Sequence, residues 1–320
     1  MYELTSVERA SENCRKLHSE LTRHIVGKDE VLHKILLGLL ADSHLLIEDF
    51  PGLAKTMIAK TLAAASGCKF SRIQFTPDLL PADITGTYIF NQKSGDFELR
   101  KGPIFTNILL ADEINRSPPK TQSALLEAMQ EYQATLDGKT HRIDRPFMVI
   151  ATQNPIEFEG VYQLPEAQLD RFIMKLRVGY PDKEQEVQIL RNRINNRSDE
   201  IAVNPIITTQ SLLEMQNSVE DVYAEHSILS YITDIVRETR FHPQIEVGAS
   251  PRGSLALLRL ARANAVFHGR DYVIPDDVKS IMVEALSHRV IPKTASWIRG
   301  FDSKQIIEEI SHKIPVPRVD

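Results

Sequence analysis

Two short stretches of this chain combine residue types that could do chemistry together. The first, Ile108-Leu109-Leu110-Ala111-Asp112-Glu113-Ile114-Asn115-Arg116, is an apolar run closed by adjacent carboxylates. A buried strand needs its apolar side chains for packing, but it has no packing use for two carboxylates at its end, where an unpaired desolvated charge is costly. Cation and general-base chemistry beside a bound nucleotide is the economical reading. The second stretch, Pro51-Gly52-Leu53-Ala54-Lys55-Thr56, follows the apolar segment His44–Glu48 and leads into a helix-forming run. There, successive backbone N–H groups and a helix N-terminus can cradle phosphates, with Lys55 reaching the β/γ-phosphates and the Thr56 hydroxyl on Mg²⁺. The loop departs from G-x-x-x-x-G-K-[ST] at both glycines, which here are Asp49 and Ala54. Asp49 would repel an anion, so its carboxylate must point away from the phosphates.

If the two stretches lie side by side, Asp112 can hold Mg²⁺ through water and Glu113 can take a proton from the attacking water. Three more polar residues are candidates. Asn154, after the strand-like Phe147–Thr152, can hydrogen-bond a γ-phosphate or position that water, or it is a turn former. Arg171, after Leu164-Pro165-Glu166-Ala167-Gln168-Leu169-Asp170, is either half of a surface ion pair or a cation supplied to a neighbouring molecule's γ-phosphate, an effect worth about 10³ to 10⁵ in rate. Arg252, after Ala249-Ser250-Pro251, either reports phosphate state to the C-terminal part of the chain or is a solvated helix residue.

The elements that must position these residues alternate. Helices are expected over Ser6–His24 and Lys28–Leu40, and the chain then runs strand (His44–Glu48), helix (Lys55–Ser66), strand (Lys69–Phe75), a long excursion, strand (Asn107–Asp112), helix (Pro118–Tyr132), strand (Pro146–Thr152), short helix and strand (Phe172–Val178). Such alternation predicts a parallel sheet covered on both faces, with ligands at the carboxyl ends of its strands. Two excursions carry hairpin signals. Thr87–Phe90 and Asp96–Arg100 flank a turn through Ser94, and Gln133–Leu136 and Lys139–Ile143 flank Asp137-Gly138, a type I′ signal. Past Tyr180-Pro181 helices are predicted over Glu184–Asn195, Ser211–Val219, Ser227–Phe241, Ser250–Phe267 and Pro275–Arg289, placing a domain boundary near residue 181.

With 320 residues and 42% hydrophobic content the chain can form two ordinary domains. A formal charge of -5 argues against a surface built for nucleic acid. Cys14 and Cys68 share no metal-ligand spacing and make no disulfide framework, which fits a cytoplasmic protein. No segment is apolar enough for membrane insertion, and Met-Tyr-Glu-Leu-Thr does not read as a signal peptide.

Leu109 to Glu131, together with Phe75–Gly86 (FTPDLLPADITG), Ala151–Glu157 (ATQNPIE), Leu164–Phe172 (LPEAQLDRF) and Gly248–Leu257 (GASPRGSLAL), closely resembles the MoxR family of AAA+ ATPases. The likeness runs from Ile25-Val26-Gly27 to about Arg289. It implies an α/β fold with an AAA+ P-loop core over residues 1–181, its parallel sheet carrying helices on both faces, and an all-α lid over residues 182–320. It also implies ATP and Mg²⁺ as cofactors. Ile25, Val26 and Gly27 would lie near adenine, and Pro51, Gly52, Leu53, Ala54, Lys55, Thr56 and Met57 around the phosphates. Thr56 and Asp112 would serve the metal, Glu113 would be the catalytic base, Asn154 sensor 1, Arg171 the arginine finger and Arg252 sensor 2. Arg116 is a second candidate for an intersubunit contact. The two hairpins resemble inserts that face a ring's central pore.

The resemblance further implies a homo-oligomer, a hexameric ring, that hydrolyses ATP to remodel or mature a client protein complex, in a chaperone-like role that includes metal-cofactor insertion. A von Willebrand factor A domain adaptor is the implied partner. The rival readings are a nucleic-acid motor, which the balanced charge of Lys93, Arg100, Asp96 and Glu98 disfavours, a metal-chelatase motor subunit, and a slowly turning nucleotide-gated scaffold.

Overall fold

The computed structural model describes residues 5–93, 95–155, 162–196, 203–294 and 302–317. The readings that involve the first four residues, Ser94, Ile156 and Glu157 lie outside them. Strands β1 (Leu45–Glu48), β2 (Phe70–Gln74), β5 (Ile108–Asp112), β8 (Met148–Gln153) and β9 (Met174–Leu176) form one sheet in the order β2-β5-β8-β1-β9, with every neighbouring pair parallel. Period-two alternation sorts its faces. Leu45, Ile47, Ile108, Leu110 and Ile150 pack into one apolar cluster with helices α1 (Ser6–His24), α2 (Asp29–Leu40) and α3 (Lys55–Ala65). Leu46, Leu109, Ala111, Val149 and Ala151 pack into another with helix α5 (Pro119–Glu131). The core is thus an α/β sandwich with helices on both faces, as the alternation predicts.

Between β2 and β5 a short helix α4 (Pro81–Thr85) precedes the hairpin β3 (Gly86–Asn91) and β4 (Asp96–Lys101), and between α5 and β8 lies the hairpin β6 (Gln133–Leu136) and β7 (Lys139–Arg142). Asp137 and Gly138 have φ of 47° and 76°, the pair of positive values that a type I′ turn requires. A short helix α6 (Glu166–Leu169) leads into β9.

The C-terminal part is helical: α7 (Lys183–Asn196), α8 (Thr209–Glu220), α9 (His226–Phe241), α10 (Pro251–Phe267), α11 (Pro275–Lys279), α12 (Met282–Leu286) and α13 (Ser303–Lys313). Three features depart from expectation. The single helix expected over Pro275–Arg289 is divided, because the Ser280 hydroxyl donates to the Asp277 carbonyl and competes with the helical ladder there. A two-stranded ribbon, β10 (Ile245–Val247) with β11 (Ile291–Pro292), is too short to leave a periodic signal. Helix α13 had one: Asp302 and Gln305 form a capping box ahead of buried Ile306, Ile307 and Ile310. The two parts also share packing. Helices α1 and α2 bind the C-terminal helices through Ser11 Oγ donating to the Phe267 carbonyl (3.0 Å), Gln216 Nε2 donating to the Leu39 carbonyl (2.7 Å), and Lys34 paired with Glu284 (2.7 Å). Apolar residues from Val7 to Ile310 therefore belong to one cluster.

Candidate active site

Strand β1 ends at Glu48, and the next residues turn into helix α3. Ala54 sits in the left-handed region (φ 57°) where the consensus loop has glycine, and no side chain caps the helix that follows. The first N–H groups of α3 are therefore left to whatever occupies the cleft, and no acidic residue lies in that first turn to repel an anion. Asp49 resolves as its charge demands. Its carboxylate turns inward, Oδ2 accepting from the N–H groups of Val178 (2.7 Å) and Gly179 (2.6 Å) and Oδ1 from that of Phe50 (2.9 Å). Asp49 thereby ties the loop to the end of β9, and only its carbonyl faces Lys55, accepting from Nζ at 2.6 Å. Burial lowers the Lys55 ammonium below the ordinary lysine value, while Asp112, Asp49 and Glu113 oppose that shift.

Because β5 is hydrogen-bonded to both β2 and β8, the ends of all three strands meet. Fully buried Thr152 donates its hydroxyl to Asp112 Oδ1 (2.6 Å) and accepts from the Glu113 N–H (2.9 Å), so one side chain fixes both carboxylate residues. Arg72 pairs with Asp112 Oδ2 (2.7 Å). Glu113, with φ of 56°, is turned aside to accept from Gln74 Nε2 (2.7 Å) and Arg116 Nη1 (3.0 Å). Arg72, Gln74 and Thr152 carried no sequence signal, because their roles arise only from strand adjacency.

Pro51, Gly52, Leu53, Ala54, Lys55, Thr56, Met57, Asp112, Glu113 and Asn154 line one cleft of about 450 Å³ with Arg72 and Gln74. The other predicted residues are elsewhere. Ile25 is buried, and Gly27 lies against the side chain of Gln185 from α7, neither lining that cleft. Arg171 and Arg252 line a separate cavity of about 730 Å³. There Arg171 Nη1 donates to the Leu126 carbonyl (2.6 Å), while its buried Nε has no partner. Arg252 Nη1 stands 3.8 Å from Asp170, the residue preceding Arg171. Arg289, noted in the sequence only as a helix end, has a buried side chain that holds Asp170 Oδ1 at 2.8 Å as well as the Phe172 carbonyl, locking β9 to the helical part. Its guanidinium is lowered by burial and sustained by Asp170.

Chemically, the cleft offers backbone donors and a lysine for phosphates, and a carboxylate within reach of water. Among the described residues no three His, Cys, Asp or Glu side chains form a metal cage. The Thr56 hydroxyl and Asp112 carboxylate are instead the sparse oxygen set that suits Mg²⁺ when phosphates complete its coordination.

A P-loop and acidic strand end on this parallel sheet, followed by a helical lid, define an AAA+ ATPase. Comparison with known proteins agrees. Residues 44–174 match the family model described as ATPase family associated with various cellular activities (AAA), and residues 237–310 match the AAA lid domain. The chain is 42% identical over 315 residues to Chaperone MoxR1 of Mycobacterium tuberculosis, covering 94% of this chain and 81% of that protein. It is 48% identical over 302 residues to the uncharacterized protein YeaC of Bacillus subtilis, covering 94% of each. A crystal structure from Cytophaga hutchinsonii, assigned as an ATPase, superposes with a TM-score of 0.92 at 42% identity, covering 98% of this chain and 97% of that one. The chain belongs to the MoxR family of AAA+ ATPases.

Proposed function

We propose that this protein hydrolyses ATP with Mg²⁺ at sites assembled between copies of the chain, in a hexameric ring, and uses the cycle to remodel a client protein complex. The observation that carries the reading is the separation of Arg171 and Arg252 from the cleft that holds Lys55, Asp112 and Glu113. Both arginines act in trans: each subunit brings them to the nucleotide of the next. In the cleft Lys55 and the first N–H groups of α3 bind phosphate oxygens, and adenine extends beyond it toward Ile25, Val26 and Gly27. Thr56 and Asp112 hold Mg²⁺, which screens the phosphate charge when bound. Glu113 takes the proton of the attacking water that Asn154 orients, and Arg171 meets the charge that develops on the γ-phosphoryl group. In the functional division residues 1–181 bind nucleotide and 182–320 act as lid. The hold of Gln74 and Arg116 on Glu113 suits a resting state.

A protein client, reached through a von Willebrand factor A domain adaptor, fits better than nucleic acid. The β3–β4 hairpin ends in Phe90 and Phe97, 54% and 70% exposed, with ring centroids 5.3 Å apart. Such an apolar tip suits a polypeptide. No described helix is long and apolar enough to cross a membrane, and the two free cysteines fit a cytoplasmic site of action.

The test is steady-state ATP hydrolysis across protein concentration, with light scattering for mass, on wild type and Arg171→Ala. Specific activity that rises with assembly and collapses in the variant supports shared sites. Activity carried by a monomer and indifferent to Arg171 overturns them.

A further inference from the structure

Helix α7 is the one long helix with no buried side chain among its described residues. It nevertheless carries Val187, Leu190 and Ile194, which are 40%, 63% and 73% exposed. Their spacing puts them on one stripe of the helix. A helix of 14 residues is marginal in water without packing, and an apolar stripe of this kind marks an interaction surface.

The start of α7 is fixed to the P-loop. Tyr180 packs on Phe50 with ring centroids 5.9 Å apart, Asp49 holds the N–H groups of Val178 and Gly179, and Gln185 lies against Gly27. The helix therefore projects from the edge of the nucleotide cleft. The cavity that contains Arg171 has the complementary character. Its rim carries Leu213 and Leu255, the latter 59% exposed, beside Arg145, Arg252 and Arg259. Five arginines line the cavity against three acidic residues, Asp42, Asp170 and Glu220, so its wall is net positive. The first turn of α7 is acidic on balance, with Glu184 and Glu186 against Lys183.

We propose that the apolar stripe of α7 docks into this cavity on a second copy of the chain, with the acidic first turn toward the rim arginines. The inference rests on the intersubunit site proposed above. Once Arg171 of one copy reaches the P-loop cleft of the next, the cavity it lines faces the edge from which α7 projects. The joint is heterologous, using different surfaces on the two partners, and so propagates from copy to copy until the ring closes.

The experiment uses the full chain with a non-hydrolysable ATP analogue and light scattering, on Leu190→Asp/Ile194→Asp and on Leu255→Asp. Each variant alone should assemble at least tenfold more weakly than wild type while keeping its far-ultraviolet circular dichroism and its binding of fluorescent ATP. Mixed one to one, they should form dimers and nothing larger, because only one intact stripe and one intact cavity remain to meet. Wild-type assembly by either variant, or a mixture that stays monomeric, overturns the docking alone. A wild type that never assembles and hydrolyses ATP as a monomer overturns the intersubunit site with it.

Discussion

Replacing Asp49 with glycine brings the phosphate loop closer to the P-loop consensus, and it should nevertheless destabilise the protein. The carboxylate is buried and accepts three backbone N–H groups, from Phe50, Val178 and Gly179. The Phe50 and Gly179 donors are at half-buried residues, so they can turn to water. The buried Val178 N–H is left without an acceptor. A hydrogen bond to an ionised acceptor is worth about 1.5–3 kcal/mol, and glycine's extra backbone entropy adds about 0.5–1 kcal/mol. The expected loss is therefore about 2–4 kcal/mol, a large share of the margin of a typical domain. Asp49→Asn, which keeps one acceptor, should fall between the two. Urea unfolding followed by circular dichroism and by fluorescence measures this, coincident transitions licensing a free-energy comparison. The other departure from the consensus should behave oppositely. Ala54 already occupies a left-handed conformation that costs an L-residue about 1–2 kcal/mol, so Ala54→Gly should be neutral or slightly stabilising. An Asp49→Gly protein as stable as wild type would refute the inward-facing carboxylate.

Glu113→Gln should bind ATP but lose about 10²-fold or more in turnover, the usual worth of a positioned base, whereas Lys55→Ala should lose nucleotide binding itself; fluorescent-ATP titration and single-turnover hydrolysis separate the two. Gln74→Ala removes one of the two donors that hold Glu113 aside, so unstimulated ATPase should rise several-fold with unchanged ATP affinity, and a fall would assign Gln74 to the reaction. Stability should decline below pH 6.5. Burial pushes His44 from 6.5 to about 4 and His288 well below its ordinary value, so both are neutral when folded, while the unfolded chain takes up protons as pH falls. His44 alone should remove about 3 kcal/mol by pH 4, and a urea midpoint unchanged between pH 7 and pH 5 would contradict its neutral state. Mixing Arg171→Ala with Lys55→Ala subunits should restore part of the lost activity at hybrid junctions, read as ATPase against mixing ratio after subunit exchange.

The chain's local chemistry was legible because it depends on neighbours in sequence. The alternation of apolar strands with helices along the chain announced the parallel sheet, Asp137-Gly138 a hairpin, and the carboxylates after Ala111 a strand end, since each signal is read from consecutive residues or elements. The inward turn of Asp49 was legible too, because a carboxylate beside an anion site has nowhere else to go. What failed were two features that leave no periodic trace in the sequence, one local and one set by contact between distant segments. The division of Pro275–Arg289 depends on the Ser280 side chain bonding the backbone against a strong helical pattern, and the β10–β11 ribbon joins residues too few to show a period.

By itself the sequence determined which residues are of the types suited to phosphate and proton chemistry and which elements present them, because backbone donors, strand ends and helix starts are local properties. Only the tertiary structure decided their company. Strand order brought Arg72 and Gln74 from β2 and Thr152 from β8 onto the Asp112–Glu113 pair. It also gave Arg171 and Arg252 a common wall away from the P-loop cleft. The spacing of residues along a chain fixes neither adjacency across a sheet nor which face of the molecule an arginine reaches; both follow from how the buried faces pack.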